Sequence, residues 1–382
     1  MSSIHSRPQW RAFLELGFRP LYLLATLWGA VSIALWLYAP GWLAHSPVPS
    51  LYWHAHEMLW AFIGTIAVGF LLTASATWTG HKTLHGPALG GLCLIWIAAR
   101  LCLLTPGGLT AALILDTLFF LVAAAELARV ILLARNRRNY GIPLAILALG
   151  LSHALFLYSL LQGHDPMPYF YSGFWTMALV TLLIARRVIP FFSMRAIPGL
   201  NIPMQTRSGQ WQMGISVLAI IVSLLSWRLP LAAALAALGL IALVQWLRWR
   251  PWASRRKPLL WILYLGYAGL AIGLLSAAAY EAGLIERAAW PVHIVGLAGF
   301  SVMIIGMLTR TALGHLGQPL SASPRLVVGY GLLLAAVALR LLALIPSAWS
   351  LPLLHLAGAC WVLALLNYLL QFAPLLIRPR QA

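Results

Sequence analysis

Long uncharged runs alternate with short polar breaks along the whole chain. Twelve apolar segments can be read, at 20–39, 54–79, 86–104, 110–134, 142–162, 169–190, 210–228, 230–249, 258–280, 290–312, 325–345 and 350–377. Segments of about twenty apolar residues have the length a helix needs to cross a bilayer. Pro and Gly punctuate the gaps, as at Pro40-Gly41, Gly86-Pro87, Pro106-Gly107 and Pro198-Gly199. Between the seventh and eighth segments only Pro230 marks a boundary, the weakest of the set. The pattern predicts an all-α polytopic membrane protein of about twelve transmembrane helices. It forms a single integral membrane domain over residues 1–382, with helices within 20–377 and tails at 1–19 and 378–382.

Composition agrees. The 382 residues are 62% hydrophobic and 8% charged, which no soluble globular domain matches. Mean hydropathy is +0.88. The net charge of +18 does not imply nucleic acid, because Lys and Arg of membrane proteins collect in cytoplasmic loops. When alternate connections are assigned to one side, only Arg100, Arg228, Arg287 and Arg340 of the 25 basic residues fall on the other. That asymmetry predicts both termini in the cytoplasm and the lipid bilayer as the surrounding partner. Cys93, Cys102 and Cys360 lie in apolar segments without paired spacing, so neither a disulfide framework nor a thiolate metal site is expected.

Polar chemistry concentrates at the start of the second segment, in Trp53 to Gly80. There His54, His56, Glu57 and Met58 precede some twenty residues without a charge. Ionisable groups at membrane depth are costly and are functional candidates. Histidines two apart on a regular helix point in nearly opposite directions, so His54 and His56 serve two neighbouring sites or the first turn is not helical. His54 and Met58, four apart, share a face, and a His–Met pair suits haem iron or copper. His293 opens the tenth segment with no charge before Arg310, and Gly296, Ala298 and Gly299 leave room for a flat cofactor or a second helix. His355 and His153 are further in-span imidazoles, the latter a ligand or proton-relay candidate. Asp116 and Glu126 in the fourth segment are candidates for proton relays or for pairs with arginine. Arg310 and Arg187, at segment ends, would either face anionic lipid or hold an acidic ligand such as a haem propionate. A weak internal echo links Gly69–Thr73 and Gly80-His81 with Gly306–Thr309 and Gly314-His315, consistent with three units of four helices.

Four stretches carry a resemblance. LGFRPLYLLA (Leu16 to Ala25), WHAHEMLWAF with VGFLLTASATWTG (Trp53 to Gly80), RRVIPFF (Arg186 to Phe192) and MLTRTALGHLGQPL (Met307 to Leu320) resemble the NnrS family over nearly the whole chain. The resemblance implies a haem- and copper-containing inner-membrane protein tied to nitric oxide and denitrification. Its expected cofactors are haem b and copper, and its expected ligand is a small gas such as NO. A looser likeness exists to the haem–copper oxidase and NO-reductase catalytic subunit, whose low-spin haem hangs from the second and tenth spans. The departures are an absent adjacent His-His pair and an absent His-x-x-x-Tyr on the sixth segment. The expectation is then a haem b near the outer leaflet between helices 2 and 10. Its ligands are His293 and one of His54 and His56, with Arg310 nearby. Copper is expected on the remaining histidine with Met58 or His355. Whether such a protein turns NO over or senses it is left open by the residues. The alternative is a transporter or a metal- or haem-handling protein, for which twelve spans with internal repeats are also apt.

Overall fold

The computed structural model describes residues 7–380. Of the two tails expected in the cytoplasm, residues 1–6 and 381–382 lie outside the described residues. Among those described there is no strand. Twelve long helices follow one another: α1 Phe18–Tyr38, α2 Ser50–Thr79, α3 Gly86–Cys102, α4 Leu109–Leu133, α5 Gly141–Leu161, α6 Met167–Ala196, α7 Thr206–Leu224, α8 Arg228–Arg248, α9 Pro258–Glu281, α10 Ala289–His315, α11 Pro324–Leu342 and α12 Ser350–Leu376. Ten of them are long and apolar enough to span a bilayer. The exceptions are α3, which has 17 residues, and α7, whose first turns carry Arg207, Gln210 and Gln212. The chain is thus an all-helical, multi-pass membrane protein. The boundary at Pro230 is real. Helix α7 ends at Leu224 and α8 starts at Arg228, with Pro230 in the first turn, where a missing N–H costs no helical bond.

The chain divides into two compact units. Unit 1 comprises Met1–Pro166, Leu308–Leu320 and Leu365–Ala382; unit 2 comprises Met167–Met307 and Ser321–Ala364. Unit 1 ties its ends together. The buried Arg19 guanidinium donates to the carbonyls of Leu376 (3.0 Å) and Arg378 (2.5 Å), and Gln9 N–H donates to Ile377 O at 2.9 Å. These carbonyls at the end of α12 have no helical partner of their own and carry the negative end of the helix dipole, so a cation suits them.

Unit 2 is drawn together by glycines. Gly266, Gly269 and Gly273 on α9 lie against the backbone of α10 at Met303, Ala298 and Val295, while Gly299 and Gly306 of α10 meet Leu270 and Leu263. A Cβ at Gly266 or Gly273 would come within 2.6 Å of Met303 N or Val295 Cγ2. Small residues let membrane helices approach closely, and dispersion then replaces the hydrophobic drive that lipid does not supply. Of the two occupants expected beside Ala298 and Gly299, a flat cofactor or a second helix, the second helix is the one present.

Two helices depart from α geometry at matching places. Helix α2 is α over Ser50–His56, π over Glu57–Gly64 and α again from Thr65. Helix α10 is α over Ala289–His293, π over Ile294–Ser301 and α again from Val302. Each π stretch has eight residues and begins just after a histidine, His56 or His293. Each is closed by a hydroxyl that donates five residues back, Thr65 Oγ1 to Trp60 O (3.3 Å) and Ser301 Oγ to Gly296 O (2.8 Å). Both are followed by a glycine in the left-handed region, Gly80 (φ 71°) and Gly317 (φ 72°). π stretches are rare and concentrate at functional sites.

Candidate metal centre

The first five long helices each send one or two side chains to a common point in unit 1. Helix α2 supplies His56 and Glu57, α3 Arg100, α4 Asp116, α5 His153 and α1 Trp28. His56 and Glu57 are neighbours at the α-to-π junction, and both side chains reach the cluster. His56 Nδ1 and Glu57 Oε1 are 2.7 Å apart. The other Glu57 oxygen accepts from Arg100 Nη1 at 3.0 Å and from the Trp28 indole N–H. Arg100 Nη2 pairs with Asp116. His56 Nε2 lies 2.9 Å from His153 Nε2, and Asp116 Oδ2 lies 3.6 and 3.4 Å from those two nitrogens. All these side chains but Trp28 are buried, His56, Glu57 and His153 completely.

The bonds fix the tautomers. With Glu57 ionised, His56 Nδ1–H donates to it, so His56 Nε2 carries a lone pair. The bond between the two Nε2 atoms then needs His153 Nε2–H as donor. His153 Nδ1 is left as a buried acceptor, and it indeed has no partner. The walls are aromatic and hold the rings in place. Trp60 and Phe156 pack on His56, and Phe120 packs on His153. Trp60 Nε1–H donates to Leu149 O at 3.2 Å, and Trp96 Nε1–H to Thr65 Oγ1 at 2.8 Å. Gly150 gives Phe120 its place, since a Cβ there would lie 2.6 Å from that ring's Cβ.

With both carboxylates ionised and both imidazoles neutral, the two carboxylates and one guanidinium carry a net charge of −1 among buried side chains. A buried, uncompensated charge is expensive, so the site is complementary to one cation. The donor set can accommodate a metal ion. Separations of 2.9, 3.4 and 3.6 Å define a triangle whose circumscribed circle has a radius of about 1.9 Å. An ion displaced by less than ~1 Å from its plane would sit at the roughly 2.0–2.2 Å usual for imidazole and carboxylate ligands.

The sequence-expected residues distribute as follows. In unit 1, His56 belongs to the cluster. His54 instead stacks on Trp36 with ring centroids 4.1 Å apart, so the two histidines do serve separate neighbourhoods. Met58 lies half-buried in the π stretch, outside the cluster, and Arg310 is buried in the Leu308–Leu320 segment. In unit 2, His293 Nδ1 donates to Ala289 O at 2.8 Å and His355 Nδ1 to Leu351 O at 2.9 Å, which leaves Nε2 of each as the lone-pair nitrogen. Gly296 beside His293 is open, the nearest atom to a Cβ there being Phe174 at 3.7 Å. Asp116 and Glu126 both pair with arginine, Asp116 with Arg100 inside the unit and Glu126 with Arg129 at 2.7 Å near its surface.

Arg100 is the cluster residue whose role sequence reasoning missed. Counted with the basic residues of the outer connections, it is buried in α3 as the clamp between two carboxylates. The available signal was a solitary arginine in an otherwise uncharged helix, matched by a solitary aspartate in the next.

No curated protein matches the chain. A family model described as NnrS protein matches residues 12–380, the span that contains every member of the cluster. That match over nearly the whole chain shows that it belongs to the NnrS family.

Proposed function

We propose that this protein is a copper- and haem-binding redox protein of the bacterial inner membrane that acts on or senses nitric oxide. The observation that carries the reading is the buried His56–Asp116–His153 donor set. His56 Nε2, His153 Nε2 and Asp116 Oδ2 would hold copper. Once bound, copper supplies one-electron chemistry and an open coordination position for a small gas. Glu57 orients the His56 ring through Nδ1, the arrangement that keeps a ligand imidazole basic and in register. Arg100 keeps both carboxylates ionised and apart. Ligation through His153 Nε2 would move that ring's proton to Nδ1, the atom now without a partner. The aromatic lining excludes water while leaving an apolar route for NO through lipid.

For haem b, which the family implies, His293 is the candidate axial ligand, because its Nδ1 is already committed to a backbone carbonyl. The lopsided distribution of basic residues supports an orientation with both termini in the cytoplasm. The transporter alternative finds less support, since a fully enclosed, salt-bridged cluster offers no path along which a solute could move.

The test is metal and haem analysis of the purified full-length protein with optical spectra in the presence and absence of NO. Copper near one per chain is expected, falling about tenfold or more in His56→Ala, His153→Ala and Asp116→Asn but not in His54→Ala. His293→Ala should remove or shift the Soret band. Equal copper in all four variants would overturn the metal assignment, and an unchanged Soret band in His293→Ala would overturn the haem ligand.

A further inference from the structure

A second site lies in unit 2, where the start of α7 meets the end of α8. A cavity of about 630 Å³ opens there, lined by Arg207, Arg248 and Arg250 together with Gln205, Thr206 and Ser208. No acidic side chain lines it, and none of the three arginines has an acidic partner among the described residues. The three guanidiniums, all at exposed positions, raise the positive potential over one concavity and so favour an anion between them.

The backbone is bent to bring them together. Helix α8 ends at Arg248, and Arg250 takes up a left-handed conformation, with φ 56° and ψ 63°, immediately before Pro251. That region is unfavourable for a branched-out side chain such as arginine and is a conformation retained where it serves a site. Its effect is that two arginines only two residues apart line the same cavity. From the other wall, the first turn of α7 contributes free N–H groups, which add to the positive field.

Two further observations point to a ligand. Gln205 Oε1, on the cavity wall, is a buried acceptor without a partner, so a donor is missing there. Beneath the wall runs a buried polar ladder. Ser208 Oγ accepts from Gln245 Nε2 (3.0 Å), Gln245 Oε1 accepts from the Tyr267 hydroxyl (2.5 Å), and that hydroxyl oxygen accepts from Gln212 Nε2 (3.4 Å). Such a ladder in an apolar helix bundle is costly unless it fixes something, and what it fixes is the wall that carries Ser208 and Arg207.

We propose that this cavity binds a phosphate ester that also carries a hydroxyl group. Guanidinium forks match carboxylate and phosphate oxygens pairwise, and a phosphate ester's additional terminal oxygens let it engage three guanidiniums at once where a carboxylate or halide engages fewer. The hydroxyl would donate to Gln205 Oε1. The volume exceeds that of a bare ion and suits a glycerol- or sugar-sized phosphate. Two sources share this chemistry, the headgroup of an anionic glycerophospholipid and a free glycerol- or sugar-phosphate. The proposal is independent of the metal centre in unit 1.

The test is thermal unfolding of the purified full-length protein, followed by tryptophan fluorescence, during titration with phosphatidylglycerol, glycerol 3-phosphate or, as control, phosphatidylcholine. Saturable stabilisation by phosphatidylglycerol alone identifies the lipid headgroup, and saturable stabilisation by glycerol 3-phosphate identifies a soluble ligand. In either case Arg248→Gln/Arg250→Gln should weaken the effective ligand about tenfold or more. Arg255→Gln/Arg256→Gln, which removes the same charge from exposed positions outside the cavity, should not. The proposal is overturned if neither phosphate ester saturates, if phosphatidylcholine stabilises as well as phosphatidylglycerol, or if both double variants lose binding equally. Where the cavity variant unfolds without ligand, Gln205→Leu serves instead, with a weaker response to the same probe expected and an unchanged one counting against the site.

Discussion

Helices α2 and α10 share one plan and fill it with opposite contents. Both run α, then π for eight residues, then α, with a histidine at the first junction and a left-handed glycine past the end. In α2 the π stretch begins with Glu57 and is surrounded by charge: a guanidinium, a second carboxylate and a second imidazole. In α10 it begins with Ile294, and the space is taken by the glycine-lined approach of α9. The same backbone device thus opens one helix to a polar cluster and presses another against its neighbour. The lesson is that a π stretch in a membrane helix changes which residues face inward, and the neighbouring helices decide whether that direction serves chemistry or packing.

The largest effect is expected at Arg100. Arg100→Met leaves Glu57 and Asp116 buried without their cation, and a loss of ~3–5 kcal/mol is expected in denaturant or thermal unfolding of the detergent-solubilised protein. Adding Asp116→Asn returns the cluster to its original net charge and should recover part of that loss. If Arg100→Met unfolds like the wild type, the cluster is not a closed electrostatic unit.

The second break lies on the packing side. Gly266→Ala drives a Cβ into the backbone of Met303, and a destabilisation of about 1–3 kcal/mol follows from overpacking. Gly296→Ala, also on α10, adds its Cβ at an ordinary contact distance from Phe174 of α6 and gains helix propensity, so unfolding should be unchanged or shifted up by at most ~1 kcal/mol. Equal penalties at the two positions would remove the distinction between a packed and an open side of α10.

The smallest effect separates the two closing hydroxyls. Thr65 Oγ1 donates to Trp60 O and also accepts from the Trp96 indole, so Thr65→Val strands a buried N–H and should cost about 1–3 kcal/mol. Ser301 Oγ makes only the bond to Gly296 O, and Ser301→Ala should cost ~0.5–1.5 kcal/mol. A larger loss at Ser301 would reverse the ranking of the two π stretches.

Much of the fold was legible in the chain, and the reason is physical. Lipid forces backbone polar groups to be satisfied within each segment, so uncharged runs map onto helices almost one to one, even across the bare Pro230 boundary. The two segments short of a full span, α3 and α7, were read as equals of the rest because their shortness and their Arg207–Gln212 polarity are local and modest. The site was legible in parts only. His56, His153 and Asp116 each stood out as ionisable groups in apolar surroundings, since their cost is visible without a structure. Their union was not, because His56, Arg100, Asp116 and His153 belong to four helices and no spacing rule links them. Nor could the ties of Glu57 to Arg100 and to the Trp28 indole be seen, because they too cross between helices.

The tie between Arg19 and the carbonyls of Leu376 and Arg378 has a consequence for how the protein is made. The metal-competent cluster is complete once the ribosome has passed His153, but the guanidinium of the first span must wait more than three hundred and fifty codons for its acceptors. Until Leu376 and Arg378 have been made, that guanidinium has Glu15, 3.7 Å away, but neither of these carbonyls, so residues 376–378 act as a latch on α1. A stop codon just before Leu376 would spare every cluster residue and still leave the product open to quality-control proteases.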